Sequence, residues 1–116
     1  MTNTTPEAEP EAVVLLHGFS GTRRAWDGVV ACLSPERCRP LALDLPGHGE
    51  YADAHARPIS FAGCVAHVLA RAPERFVLCG YSLGGRVALH VGHQIRFHSP
   101  DTRLIGHSYV SGSGYR

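Results

Sequence analysis

Short apolar runs, each stopped by a glycine-bearing turn, constrain this chain more than any other feature. Val13-Val14-Leu15-Leu16 ends at His17-Gly18, and Leu41-Ala42-Leu43 ends at Asp44-Leu45-Pro46-Gly47-His48-Gly49. Phe76-Val77-Leu78-Cys79 runs directly into Gly80-Tyr81-Ser82-Leu83-Gly84-Gly85. Runs that are apolar throughout, rather than alternating, suit strands buried on both faces. Helical spacing fills the gaps between them. Thr22 is placed to cap a helix carrying Trp26, Val29, Val30 and Leu33. Ser60 opens a second, with Phe61, Cys64, Val65, Val68 and Leu69 on one face, and Ala72-Pro73 ends it. Arg86 to about Val91 reads as a third. Strand and helix alternate, which predicts an α/β fold: a mostly parallel sheet with helices on both faces.

The flanks carry less information. The chain has 116 residues, the size of one domain. Residues 1–12 read as a disordered acidic lead-in without the basic and apolar regions of a signal peptide. No apolar stretch reaches the length of a membrane span. All thirteen alanines lie before residue 89, and the following residues form an atypical polar tail over 92–116. Within it Arg103-Leu104-Ile105 and Tyr109-Val110 make a weak fourth strand, expected to be interrupted by Gly106-His107-Ser108. A net charge of +1 argues against nucleic acid and acidic membranes as partners. Cys32, Cys38, Cys64 and Cys79 form no C-x-x-C pair, so the expectation is mostly buried free thiols in a reducing cytoplasm and no metal site.

Gly80-x-Ser82-x-Gly84 lies between an apolar strand and a helix, the setting of a nucleophile elbow. A serine on a sharp strand-to-helix turn adopts a strained backbone, and glycines beside it leave room for the turn. Its hydroxyl then projects from the carboxyl edge of the sheet, where open α/β folds bind ligands. The N–H of Leu83, at the helix N-terminus, would favour developing negative charge. A second such donor belongs on the loop after the first strand, and Phe19, next to Gly18, supplies it. His17 has two readings, catalytic base or hydrogen-bonded loop residue; the chain order serine, acid, histidine favours the second. Asp44 with His48 could suggest a metal, but no further ligands are spaced to join them, so a structural turn is the better reading.

Taken together, Leu16-His17-Gly18-Phe19, Leu43-Asp44-Leu45-Pro46-Gly47-His48-Gly49 and Gly80-Tyr81-Ser82-Leu83-Gly84-Gly85-Arg86 resemble the α/β-hydrolase superfamily over about residues 13–91. Tyr81 and Arg86 resemble, more narrowly, the 2-succinyl-6-hydroxy-2,4-cyclohexadiene-1-carboxylate synthase branch of menaquinone biosynthesis, a pyruvate-eliminating lyase. The resemblance implies Ser82 as nucleophile, Phe19 and Leu83 as oxyanion-hole donors, and Tyr81 and Arg86 as substrate-binding residues. It assigns structural roles to His17, Gly18, Gly80 and Gly84, and packing to Trp26. Glu50-Tyr51 departs from the family, which usually has a serine shortly after Gly-His-Gly. It implies no cofactor and a small carboxylate or ester substrate. Ester hydrolysis is the alternative activity; a non-catalytic fragment or pseudoenzyme is another. The family's acid and histidine lie far beyond the nucleophile, and 34 residues follow Ser82 here. The expectation is therefore the first half of a larger domain. Asp101 and His107 have the right order but fall on the wrong elements. Beside the third strand, the sheet edge is expected to be poorly covered and prone to self-association.

Overall fold

The computed structural model describes residues 9–52, 59–98 and 105–109. It contains a four-stranded, all-parallel sheet of strands β1 (Glu11–Leu16), β2 (Cys38–Leu43), β3 (Val77–Tyr81) and β4 (Ile105–Tyr109), in the order β2-β1-β3-β4. Between the strands run helices α1 (Asp27–Cys32), α2 (Phe61–Arg71) and α3 (Leu83–His98). β1 alternates its buried side chains to both sides: Val14 and Leu16 join the core with α2 and α3, while Leu15 is buried outside that cluster. From α2 come Cys64, Val65 and Val68, at helical spacing, and from α3 Val87, Ala88, Val91 and Ile95.

Strand order matters for the site. The chain moves from β1 to β2 on one side, then crosses to β3 on the other side of β1. The carboxyl ends of β1 and β3 therefore lie side by side at the reversal, where open α/β sheets bind ligands.

Several elements differ from their sequence expectation. β1 begins at Glu11, inside the expected lead-in, because the Glu11 N–H reaches the Arg37 carbonyl at 2.8 Å. β2 starts at Cys38 and includes Pro40, which an edge strand tolerates because its lost N–H takes no place in an interior ladder. The stretch after Thr22 is not one amphipathic helix. A 3-10 turn, Arg23–Trp26, leads into the six-residue α1, neither contains a buried residue, and Val29 is exposed. Trp26, expected in the core, is only half-buried. Thr22 does cap the turn, accepting the Arg24 N–H at 3.3 Å.

Ser60 caps α2 as its position implies, accepting the Gly63 N–H at 3.0 Å, although Phe61 is exposed and stacks on His90 rather than entering the core. α3 begins three residues earlier than expected and continues to His98, since Val91 and Ile95 extend its buried face past the polar tail's start. β4 runs unbroken through Gly106, His107 and Ser108, each paired with β3. Pairing to a formed strand supplies its order where local propensity is poor. The outer edge of β3 is consequently covered, and among the described residues the sheet ends at β2 and β4.

All four cysteines are free: Cys64 is buried, Cys38 and Cys79 are half-buried, and Cys32 is exposed, against the expectation for its apolar surroundings. Burial pushes the Cys64 and Cys79 thiols above their ordinary value.

Candidate functional site

Ser82 occupies the turn between β3 and α3 with φ 54°, the only non-glycine residue in the left-handed region among those described. Such backbone costs an L-residue roughly 1–2 kcal/mol and persists only where surrounding contacts impose it. Those contacts are main chain on main chain. A Cβ on Gly80 would collide with the carbonyl of Gly84, and a Cβ on Gly84 would collide with the carbonyl of Leu16. The first pair folds the elbow tightly on itself; the second presses it against the end of β1.

The Ser82 carbonyl accepts the Arg86 N–H at 3.1 Å and so opens the helix. The N–H of Leu83, first residue of α3, has no acceptor within the helix by position.

Gly18 closes the other side. A Cβ there would lie 3.1 Å from Tyr81 Cδ1 and 3.6 Å from Ser82 Cβ, so the loop after β1 sits directly against the elbow. His17 sets its shape. The ring is fully buried, and its Nε2 accepts the Leu45 N–H at 3.0 Å. That bond leaves the proton on Nδ1, which donates to the Gly18 carbonyl at 2.7 Å. The Gly18 carbonyl also accepts the Gly21 N–H at 3.1 Å. In a trans peptide the N–H of the next residue points opposite to the carbonyl, so the Phe19 N–H is turned away from the His17 ring. Burial pushes the His17 imidazole below its ordinary value of 6.5, outweighing the bond to Gly18. Both nitrogens of His17 are thus engaged by main chain.

The turn after β2 backs this loop. Asp44 is buried and accepts the Arg23 N–H at 2.7 Å, the Arg23 guanidinium at 2.8 Å and the Glu50 N–H at 3.1 Å. Burial acts to raise its carboxyl, but the hydrogen bonds from Arg23 and Glu50 and the Arg23 charge win, holding it below 3.8. Gly49, at φ 55°, has no room for a Cβ because the Asp44 carboxylate fills the space. His48 reaches the Phe19 carbonyl from the same turn. The structural reading of Asp44 and His48 thus has a definite content: they brace the loop carrying Phe19. Among the described residues no three of the His, Cys, Asp and Glu side chains cluster to hold a metal ion.

Tyr81 and Arg86 flank Ser82 and are both exposed, Tyr81 against Gly18 and Arg86 in the first turn of α3. The Phe19 side chain is exposed as well. Asp101 lies outside the described residues; the backbone of His107 pairs with Cys79 in the middle of β4, not on a loop at a strand's carboxyl end. Sequence reading treated the turn after β2 as a separate motif. The signal that it serves the Phe19 loop is its histidine, whose partner lies 29 residues away and is invisible in the local pattern.

A strained serine between a parallel strand and a helix, faced by a glycine loop at the sheet reversal, defines the α/β-hydrolase type of site. The sequence profile described as the alpha/beta hydrolase family matches residues 13–115, and the chain belongs to that family. The chain is 41% identical over 83 residues to a pimeloyl-[acyl-carrier protein] methyl ester esterase of Nitrosomonas europaea, covering 71% of this chain and 31% of the relative. It is 44% identical over 88 residues to a 2-succinyl-6-hydroxy-2,4-cyclohexadiene-1-carboxylate synthase of Klebsiella pneumoniae, covering 72% of this chain and 33% of that protein. The chain thus spans about a third of the length of these curated relatives. Among solved structures, the type II thioesterase BorB superposes with a TM-score of 0.66 at 22% identity, over 82% of this chain and 39% of that one; it shares the fold.

Proposed function

We propose that this chain carries the nucleophile half of a carboxylic-ester hydrolase, with Ser82 as nucleophile and the N–H groups of Phe19 and Leu83 as oxyanion donors. The observation that carries the reading is the left-handed backbone of Ser82, held at the start of α3 and faced by Gly18. In this reading Ser82 Oγ attacks the ester carbonyl carbon, and the carbonyl π pair moves onto oxygen. The two N–H donors stabilise that charge in place. Collapse of the intermediate breaks the bond to the alkoxy oxygen, the alcohol leaves with a proton, and water then hydrolyses the acyl-serine. In this reading neither His17 nor the Asp101–His107 pair takes the Ser82 proton; in the chain by itself it passes to solvent water, which returns a proton to the leaving alcohol. The name of the Nitrosomonas relative supports an ester substrate.

A second reading, elimination of pyruvate by the lyase chemistry of the synthase, is supported by the Klebsiella relative and by Arg86, whose guanidinium fork suits a substrate carboxylate. Two assays separate the readings. The first is covalent labelling by a fluorophosphonate, expected for the wild type and abolished in Ser82→Ala. The second compares hydrolysis of a short methyl ester with pyruvate release from the synthase's own substrate. No labelling of the wild type would remove Ser82 as nucleophile; pyruvate release without ester hydrolysis would replace the first reading by the second.

A further inference from the structure

His48 lies against main-chain carbonyls of two different loops. Its Nε2 is 2.6 Å from the Phe19 carbonyl oxygen, and its Nδ1 is 3.0 Å from that of Pro46, two residues before it. Carbonyl oxygens only accept, and a neutral imidazole carries a single proton. The shorter contact, which also spans the two loops, takes that proton, so Nε2–H donates to Phe19. The ring rests on His17, with centroids 4.9 Å apart, and meets the Phe19 ring edge-on at 6.0 Å.

The consequence follows from the peptide geometry. Two carbonyls bracket Phe19: that of Gly18, held by His17 Nδ1, and its own, held by His48 Nε2. Swinging the Gly18–Phe19 peptide breaks the first bond, and turning the next peptide breaks the second. The Phe19 N–H between them is held in one direction. His48 is itself fixed, because its N–H donates to the Leu45 carbonyl at 2.9 Å and the Gly47 N–H closes the same turn onto the Tyr51 carbonyl at 3.0 Å.

We propose that His48 is a positioning residue that aims the Phe19 N–H at the reacting carbonyl oxygen, acting through the Phe19 carbonyl. This rests on the reading of Phe19 as an oxyanion donor. The turn after β2 thereby acts at the site without touching substrate.

Substitutions that keep one or the other ring nitrogen's donor decide it. The amide of Gln reaches the place of Nε2, that of Asn the place of Nδ1, and Ala supplies neither. The wild-type chain, His48→Gln, His48→Asn and His48→Ala are compared in two measurements: hydrogen exchange of the Gly21 amide, bonded to the Gly18 carbonyl, and the rate of fluorophosphonate labelling. His48→Asn and His48→Ala are expected to speed exchange and slow labelling, each by about tenfold, the effect of one lost hydrogen bond. His48→Gln stays within about threefold of the wild type, because one bond of similar geometry is kept. Should the alanine variant not fold, the contrast between Asn and Gln carries the test. Exchange unchanged in His48→Asn, or faster exchange with labelling undiminished, would overturn the proposal. A wild type that is not labelled overturns the nucleophile reading instead, and Gly21 exchange then decides the clamp by itself.

Discussion

At the scale of single residues, Ser82, His17 and Asp44 have measurable consequences for stability. Left-handed backbone at Ser82 penalises any side chain with a Cβ. Ser82→Gly relieves that strain and Ser82→Ala does not, so the glycine variant is expected to be more stable than the alanine variant by about 1 kcal/mol, read from urea midpoints. His17 and Asp44 both bind protons less readily folded than unfolded, so each stabilises the fold more as pH rises. For His17 the contribution is complete above 6.5 and is lost as pH falls from there toward its lowered folded value. For Asp44 it is complete above 3.8 and is lost below that as the carboxylate takes up a proton. Urea unfolding across this range is expected to show two successive losses on acidification. Removing the titrating group by His17→Asn abolishes the upper one, and Asp44→Asn abolishes the lower one while costing about 2–3 kcal/mol at neutral pH for the charged hydrogen bonds it weakens. A neutral-to-acid profile unchanged by His17→Asn would contradict the assignment.

At the scale of elements, the junction of β1 with α3 concentrates the risk. Gly84 lies in the first turn of α3 with its α-carbon against the Leu16 carbonyl, so Gly84→Ala must push the helix off the strand. Helix propensity alone favours alanine there by about 1 kcal/mol. Overpacking against main chain, typically about 1–3 kcal/mol, opposes it and is expected to win, leaving a net loss visible as a lower urea midpoint. Gly28, where a Cβ meets nothing within 4 Å, is the internal control: in α1 the same substitution is expected to stabilise. These two glycines also show what local pattern can and cannot reveal. The apolar runs marked β1, β2 and β3. Against the expectation of burial on both faces, only central β1 is buried along most of its length; edge strand β2 is largely half-buried, and β3 alternates buried with half-buried residues. The Ser60 cap was also legible locally. Gly84 and Gly85 read as turn, since their place inside α3 is dictated by a strand distant in sequence. Likewise Gly106-His107-Ser108 has no strand signature, and its strand is set by pairing with β3. Ser82 and Gly18 were legible as motif residues; the brace from His48 was not, because a side-chain bond to a distant carbonyl leaves no periodicity.

At the scale of the whole molecule, both strands that bound the described sheet present main-chain donors and acceptors along one side. On β2, Pro40 interrupts that row. β4 contains no proline and no charged residue over Ile105–Tyr109, the two common protections of an edge. Concentration-dependent association is therefore expected, observable by sedimentation velocity over a hundredfold range of protein concentration. Placing Lys at Gly106 should reduce it, whereas a clean monomer throughout would count against an open β4 edge. Among the described residues no helix is long and apolar enough to cross a membrane.

The close approach of Gly84 to the end of β1 also orders events in time. The tight contact of Gly80 with Gly84 is local to the elbow, but the contact of Gly84 with Leu16 needs β1, which pairs with β3 across a long intervening stretch that includes β2 and α2. Local helices close in microseconds or less, whereas joining distant strands must first meet the entropy of the large loop between them. During refolding the elbow is thus expected to form its own Gly80–Gly84 contact before it gains the one with β1. The part of the packing that β1 imposes is expected to arrive late, once β1 and β3 have met.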